Sequence, residues 1–150
     1  MQFVPYLNFD GNCAEAMAFY AQLFRGQVVF QSTFGDMPPT EGMPPLPESA
    51  KGRLMHAQLQ VGAQSLMASD TLPAMPGVDP ETCGGGYRKP EGMWVSIGVD
   101  TLAEGQRVFD GLAEGGKVTM PFASTFWSAG FGMVTDRFGT PWMVNVATQP

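Results

Sequence analysis

The clearest alternation of apolar and polar side chains lies in the segment Leu54–Val61. Its apolar positions are Met55, Ala57, Leu59 and Val61, and its polar positions are His56, Gln58 and Gln60. Successive side chains of a strand point to opposite faces of a sheet, so a period of two predicts a half-buried strand. We expect the apolar face to pack on helices and the polar face to line the hollow of a curled sheet.

Two other segments have the spacing of amphipathic helices, and each follows a capping-box pattern. The boxes are Asn12-Cys13-Ala14-Glu15 and Thr101-Leu102-Ala103-Glu104. In such a box the first side chain accepts a hydrogen bond from the third helical N–H group. The apolar positions are Ala16, Phe19, Tyr20 and Leu23 in the first segment, and Gly105, Val108, Phe109 and Leu112 in the second. Each helix is predicted to end at glycine, at Gly26 and at Gly115-Gly116.

Strand patterns surround both helices in the same order. They cover Phe3–Phe9, Gln27–Thr33, Leu54–Val61 and Gln64–Ser69 in the first half, and Met93–Val99, Lys117–Phe122, Phe131–Thr135 and Trp142–Val146 in the second. The sequence therefore predicts an α+β fold of two tandem β-α-β-β-β units that form curled mixed sheets. We expect one domain over residues 1–150, with units at 1–70 and 93–148 and a linker loop at 71–92. Proline and glycine predict a further loop at Gly35–Gly52.

Composition and charge exclude several classes of partner. The chain has 150 residues and a formal net charge of −6, and its eight Lys and Arg residues form no cluster along the sequence. A nucleic-acid partner is disfavoured, because phosphate binding needs a local positive patch. The start of the chain does not resemble a signal peptide and no apolar run could span a bilayer, so we expect a cytoplasmic protein with no membrane partner. Cys13 and Cys83 form no CxxC pair, which is typical of reduced thiols.

Candidate chemistry centres on His56, the only histidine, so a metal site with two histidines is impossible within one chain. His56 is suited to general acid–base catalysis at neutral pH, and a hydrogen-bonded structural histidine is the alternative interpretation. Asp70 is either a partner that orients His56 or binds a cation, or a turn residue. Trp94 and Trp127 belong to an aromatic-rich second half, where core packing and an aromatic cage for a flat or cationic ligand both stay open.

Short motifs outside the two loops match a known family along nearly the whole chain. They are Tyr6-Leu7-Asn8-Phe9-Asp10-Gly11-Asn12-Cys13, Met55-His56-Ala57, Leu66-Met67-Ala68-Ser69-Asp70, Thr125-Phe126-Trp127, Asp136-Arg137-Phe138-Gly139 and Trp142-Met143-Val144-Asn145. With them the chain resembles the vicinal-oxygen-chelate (glyoxalase/bleomycin resistance/dioxygenase) superfamily and its PhnB-like group, often labelled 3-demethylubiquinone-9 3-methyltransferase-like. The resemblance implies a fold rather than one activity, because the superfamily hosts isomerases, dioxygenases, thiol transferases and antibiotic-binding proteins.

Catalytic members of the superfamily hold a divalent metal with His and Glu side chains on the concave face. The resemblance puts these ligand positions at Val4 or Pro5, Met67, Trp94 and Met143. If the alignment is shifted by one or two residues within a strand, Tyr6, Ser96 or Asn145 takes a ligand position instead. None of these sets suits such a metal, so we expect no metal and no cofactor. The sequence does not support the methyltransferase label either. Cofactors of the nucleotide type need a glycine-rich turn between a strand and a helix, followed by an acidic residue at a strand end, and the sequence has no such motif.

These observations favour a metal-free protein that binds a small-molecule ligand on the polar faces of its sheets. The candidate ligand-binding residues are Tyr6, His56, Gln58, Met67, Trp94, Ser96, Trp127, Met143 and Asn145. The alternative is an enzyme for a small organic or phosphorylated substrate, with His56 as the catalytic general base. A third interpretation is that His56 and Asp70 bind a divalent metal at a non-standard site. We also expect a homodimer, because a single β-α-β-β-β unit leaves its sheet edges exposed and the family pairs its units.

Overall fold

The computed structural model describes residues 1–39, 41–42, 44–75 and 86–147 of the chain. The chain forms two compact units, Met1–Arg88 and Lys89–Pro150. Part of the predicted linker, residues 76–85 with Cys83, lies outside the described residues.

The first unit is a four-stranded mixed sheet with a helix packed on one face. Its strands are β1 (Tyr6–Phe9), β2 (Gln27–Thr33), β3 (Leu54–Val61) and β4 (Gln64–Asp70), and its main helix α1 spans Cys13–Leu23. The strand order is β1-β4-β3-β2, with β1 parallel to β4 and the other neighbours antiparallel. The loop predicted at Gly35–Gly52 is partly helical, since a 3₁₀ turn covers Phe34–Asp36 and a short helix α2 covers Glu48–Lys51.

The second unit repeats this arrangement. Its elements are β5 (Val95–Val99), α3 (Leu102–Ala113), β6 (Lys117–Ala123), β7 (Gly130–Thr135) and β8 (Pro141–Val146). The strand order is β5-β8-β7-β6, and β5 is parallel to β8. The α+β fold of two tandem β-α-β-β-β units is thereby confirmed. Across the described ranges, each helix falls short of the length and apolar character that a membrane crossing requires.

Helix α1 packs on one face of the first sheet, and the side chains between them form the core of the unit. They are Leu7, Phe9, Ala16, Met17, Tyr20, Ala57, Leu59, Leu66 and Ala68, and each is at most 8% exposed. The alternation predicted for β3 is confirmed in the middle of the strand, where Ala57 and Leu59 are buried and His56 and Gln58 are half-buried. It does not extend to the ends, where Met55 and Val61 are half-buried and Leu54 is buried. Burial of one side chain such as Leu59 contributes about 1.5–3 kcal/mol. One face of the sheet therefore stabilises the unit, and the other can carry chemistry.

Glycine is required where each helix passes into the strand that follows it. A Cβ atom on Gly26 would lie 2.5 Å from the carbonyl oxygen of Gln60, and one on Gly116 would lie 2.5 Å from that of Thr135. Real Cβ atoms essentially never approach another atom so closely. Both repeats therefore use a residue without a side chain to let the new strand run beside its neighbour.

The two main helices begin differently. Thr101 caps α3 as predicted, since the backbone N–H of Glu104 donates to its Oγ1 at 3.2 Å. The cap predicted at Asn12 is wrong, because the Asn12 side chain makes no capping hydrogen bond. The carboxylate of Asp70, at the end of β4, accepts the N–H group of Cys13 at 2.9 Å instead. A residue distant in sequence thus replaces a local cap.

Candidate functional site

An aromatic and imidazole cluster lies on the face of the first sheet that points away from α1. Tyr6 begins β1, and its hydroxyl is hydrogen-bonded to Nδ1 of His56 on β3 over 3.1 Å. The two rings are stacked, with centroids 5.7 Å apart. Phe30 on β2 completes the cluster, with its ring centroid 5.9 Å from the imidazole. Tyr6 and Phe30 are 45% and 52% exposed, so a ligand can reach both rings.

The second ring nitrogen of His56, Nε2, has no hydrogen-bond partner in the part of the chain that the structure describes. Its role depends on the bond at Nδ1. If the Tyr6 hydroxyl donates to Nδ1 of a neutral imidazole, Nε2 carries the proton and can donate to a ligand. If Nδ1 carries the proton and donates to the phenol oxygen, Nε2 can accept a hydrogen bond or remove a proton.

Gln58 and Met67 lie in the middle of the same face. Met67 on β4 is beside Tyr6 on β1 and beside Gln58 on β3 in the register of the sheet. The Gln58 amide donates to Oγ of Ser65 at 3.4 Å, a long bond that holds it only loosely. The sheet therefore brings together the four candidates that the sequence predicted in the first unit.

Phe30 and Ser32 also belong to this face, although the sequence did not predict them. The register of β2 is irregular between Val28 and Phe30, so simple alternation does not carry along the strand. Ser32 lies beside His56, and its Oγ is buried without a hydrogen-bond partner among the described residues. Only the pairing of β2 with β3, which long-range contacts set, reveals both residues.

Asp70 belongs to the opposite face. It is 3% exposed, and its carboxylate accepts the backbone N–H groups of Gly11, Cys13 and Leu54 at 2.8, 2.9 and 2.8 Å. The interpretation of Asp70 as a residue that orients His56, or that binds a metal with it, is therefore wrong. Asp70 ties the end of β4 to the start of α1 and the start of β3.

Cys13, the first residue of α1, is completely buried. Burial, followed by the negative charge of Asp70, raises the pKa of the Cys13 thiol to about 12. The nucleophilic form of cysteine is the thiolate. The first unit therefore keeps this thiol neutral, and Cys13 is not a candidate for catalysis.

The matching face of the second sheet is lined by thioether groups. Ser96 on β5 lies beside Met143 on β8, at the position that Tyr6 has in the first unit. Met143 is next to Met133 on β7, and Met133 is next to Met120 on β6. Methionine is flexible and polarisable, so this row forms an apolar surface that adapts to the shape of a partner.

Asn145 and Trp127 are connected through Phe131. Asn145 lies beside Phe131 in the register of β8 and β7, and its side-chain oxygen is buried without a hydrogen-bond partner in the described ranges. Trp127, in the segment between β6 and β7, is 50% exposed. Its ring packs edge-on against that of Phe131, with centroids 5.9 Å apart. The two predicted residues therefore share one neighbour next to the methionine row.

Trp94 does not lie with the other candidate residues of the second unit. It was predicted to belong to a strand, but the strand β5 begins at Val95, immediately after it. Trp94 lines a hollow at the end of the second sheet with Lys117 and Arg137, and neither Ser96 nor Met143 contributes to that hollow.

The donor atoms do not fit the divalent metal that catalytic members of the superfamily hold. Side chains at the matching positions are Val4 or Pro5, Met67, Trp94 and Met143. Where the structure describes the chain, no group of three or more His, Cys, Asp or Glu residues is placed to hold a metal ion. Thioether and indole groups do not replace the imidazole and carboxylate ligands of such metals. No step of a reaction is therefore assigned to a metal here.

Known proteins with similar sequences match nearly the whole chain. The family model described as 3-demethylubiquinone-9 3-methyltransferase matches residues 1–145. Protein YjdN of Escherichia coli (strain K12) is 34% identical over 154 residues, which cover 99% of this chain and 97% of YjdN. The crystal structure of protein PA1353 from Pseudomonas aeruginosa is similar, with a TM-score of 0.82, 45% identity and 99% of each chain covered. A PhnB protein from Bacillus cereus has a TM-score of 0.71 and 25% identity, covering 98% of this chain and 100% of that one.

The same fold extends to more distant proteins. A glyoxalase/bleomycin resistance protein/dioxygenase domain from Frankia sp. EAN1pec has a TM-score of 0.62 at 11% identity, with 99% of this chain and 98% of that domain covered. This likeness agrees with the two four-stranded sheets and with the resemblance noted in the sequence. The chain belongs to the family described as 3-demethylubiquinone-9 3-methyltransferase, and it has the fold of a glyoxalase/bleomycin resistance protein/dioxygenase domain.

Proposed function

We propose that this protein binds a small, flat and largely apolar organic molecule, without a metal, on the face of the first sheet that points away from α1. The observation that carries the proposal is the pair of Tyr6 and His56, hydrogen-bonded at 3.1 Å with Phe30 beside the imidazole. Contiguous exposed apolar surface, such as these neighbouring rings, marks sites where ligands or partners bind. Sites for small molecules combine such apolar surface with a few convergent polar groups.

The charge of this face favours a ligand without a strong charge. The strand side chains on it include Tyr6, Asn8, Gln27, Phe30, Ser32, His56, Gln58, Gln60, Ser65, Met67 and Ser69. None of them is Asp, Glu, Lys or Arg, so an ionised ligand would lose hydration without gaining an ion pair. A flat ring that stacks on Tyr6 or Phe30 and offers one polar atom to Nε2 of His56 suits this lining.

Ser32 supports a polar contact at the same place. Its hydroxyl is buried beside His56 and has no partner within the described ranges. A buried polar group left without a hydrogen bond costs about 1–3 kcal/mol. If the Ser32 side chain turns toward a bound ligand, a hydrogen bond between them recovers part of that free energy and adds affinity.

The second candidate function is an enzyme with His56 as general base, acting on a small organic or phosphorylated substrate. It is favoured by the same hydrogen bond when Nδ1–H donates to the phenol oxygen, because Nε2 is then free of a proton and can act as the base. Tyr6 is the neighbour that orients the imidazole. Methyl transfer has no such support, since the described turns ahead of α1 and α3 are Asp10-Gly11-Asn12 and Asp100-Thr101, and neither is glycine-rich.

A thermal-shift screen of small metabolites and drug-like fragments tests the binding proposal. A ligand present at 100 times its Kd stabilises the folded state by about 2.7 kcal/mol, which raises the Tm of a chain of this size by roughly 5–10 °C. We expect flat, uncharged compounds to protect the wild type and to lose most of this effect with Phe30→Ala and His56→Gln. Gln31→Ala is the matched control, since Gln31 is the exposed neighbour of Phe30 but pairs with Ala57. Equal protection of all variants would contradict the proposal.

Catalysis is distinguished from binding by following each protecting compound in solution. Proton NMR over hours shows whether the compound is converted, and Tyr6→Phe removes the hydroxyl while it keeps the stacked ring. Unchanged compound favours a binding protein. Conversion that is lost in His56→Gln and slowed in Tyr6→Phe, with binding retained, favours the enzyme.

A further inference from the structure

Three of the eight Lys and Arg residues line one hollow in the second unit. They are Lys89, Lys117 and Arg137, and the hollow has a volume of about 550 Å³. The three come from separate segments: the stretch before β5, the start of β6 and the turn between β7 and β8. The sequence shows no basic cluster, yet the fold of a chain with a net charge of −6 gathers these cations at one end of a sheet.

The arginine is held in place by its surroundings. A Cβ atom on Gly115 would lie 3.4 Å from Cβ of Arg137, so the arginine stem lies against this glycine. Gly115 has a φ of 70°, a conformation that side chains disfavour, so the close approach depends on glycine. The guanidinium carbon of Arg137 lies 4.9 Å from the centroid of the Phe138 ring. Both contacts limit the entropy that Arg137 would lose on binding a ligand.

The acidic residue that lines the hollow, Asp136, is hydrogen-bonded to groups of its own hairpin. Asp136 is 4% exposed, and its Oδ1 accepts the N–H groups of Phe138 and Thr140 at 2.9 and 3.0 Å. Its Oδ2 accepts the indole N–H of Trp142 at 2.7 Å. The carboxylate therefore points into the hairpin and stabilises the turn, although its charge reduces the positive potential nearby.

The two lysines have no such partner. No carboxylate in the described part of the chain lies within ion-pair distance of Lys89 or Lys117. Their charges therefore remain available to an anion. Trp94, Met93, Pro90 and Pro141 give the hollow an apolar wall beside these charges.

We propose that this hollow binds a small organic anion, with a carboxylate or phosphate group held by Lys117, Arg137 and Lys89 and a flat apolar group against Trp94. Lysine and arginine are the usual partners of carboxylate and phosphate oxygens. The volume is in the range of sites for small organic molecules. The proposal does not depend on the first sheet, whose lining favours an uncharged ligand, and it gives the chain a second site of opposite preference.

Titration of the ¹⁵N-labelled full chain tests it with four probes: phenyl phosphate, benzoate, inorganic phosphate and benzyl alcohol. We expect phenyl phosphate or benzoate to shift the indole N–H of Trp94 and the amide signals of Gly115 and Gly116. Whichever of the two binds more tightly identifies the head group. Inorganic phosphate should bind more weakly, benzyl alcohol should not bind, and added salt should weaken the anions because the contact is exposed.

Lys117→Gln is expected to raise the Kd of the better probe about twofold to fivefold, the size of one exposed ion pair. Lys51→Gln, the same exchange in the first unit, is the matched control and should leave the Kd unchanged. If Lys117→Gln alters signals throughout the NMR spectrum, the same titration is made with Lys89→Gln, whose residue lies in the segment before β5. The proposal is overturned if benzyl alcohol binds as well as phenyl phosphate, if the shifts avoid Trp94, or if the lysine variants and the control behave alike.

Discussion

Replacement of Asp70 by asparagine is expected to destabilise the first unit strongly, although the two side chains have nearly the same shape. The carboxylate accepts three backbone N–H groups, from Gly11, Cys13 and Leu54. Oδ1 takes the first two, so an amide oxygen can still accept them as neutral bonds. Oδ2 takes the third, and an amide NH₂ group at that place would face another donor.

The magnitude follows from these three bonds. A hydrogen bond to a charged group contributes about 1.5–3 kcal/mol, and a neutral bond contributes about half of that. At the lower end of these values, loss of one charged bond and weakening of two others together predict a loss of roughly 3 kcal/mol in the free energy of unfolding. For a chain of about 150 residues this corresponds to a fall in Tm of roughly 6–12 °C.

Urea unfolding followed by far-ultraviolet circular dichroism measures this loss, with an unchanged m-value as a sign that the folded state is intact. Asp10→Asn is the matched control, because Asp10 has a 62% exposed side chain and contacts Nη1 of Arg53 at 2.9 Å. An exposed ion pair of this kind contributes at most about 1 kcal/mol. If Asp70→Asn proves no more destabilising than Asp10→Asn, Asp70 does not hold the start of α1 and the account of this helix cap is refuted.

The remaining predictions concern composition, assembly and pH. Elemental analysis of the purified protein should find no stoichiometric Zn, Ni, Mn or Fe, because the donor set is unsuitable; about one metal per chain would contradict this. Calorimetry should detect no binding of S-adenosylmethionine at micromolar affinity, and a measurable Kd in that range would reopen methyl transfer. Light scattering should give a homodimer at micromolar concentration, since edge strands such as β2 are exposed; a monomer would count against it. Between about pH 9 and pH 12 the free energy of unfolding should fall more steeply for the wild type than for Cys13→Ala. The unfolded thiol loses its proton near its ordinary pKa of 9.0, whereas the folded one keeps it to about 12; equal slopes in urea titrations would show that Cys13 is not buried.

The helices and strands were predictable where the interactions that set them are local. The period of two in Leu54–Val61 and the bounds of β2 follow from neighbouring residues, and the structure reproduces both. The same holds for the Thr101 cap, whose donor is three residues away. The cap at α1 was not predictable, because its acceptor, Asp70, lies at the end of another strand and must first be brought there by the fold.

The candidate site was predictable only in part, for the same reason. Tyr6 and His56 could be assigned to one face from strand alternation, but their hydrogen bond spans the width of β4 and depends on sheet order. Phe30 was missed because the irregular register of β2 changes which side chains share a face. The basic hollow was missed because Lys117 and Arg137 become neighbours only after β6 pairs with β7.

The matching registers of Tyr6 with Met67 and of Ser96 with Met143 have a consequence for how such a protein diverges. The two halves keep one backbone frame, yet one presents the Tyr6 phenol and the Gln58 amide where the other presents the Ser96 hydroxyl and the Met133 sulfur. Since the helix-facing side chains maintain each half, substitutions on the other face change recognition at little cost to folding. A duplicated frame of this kind lets one half acquire a new specificity by mutation while the other retains an older one.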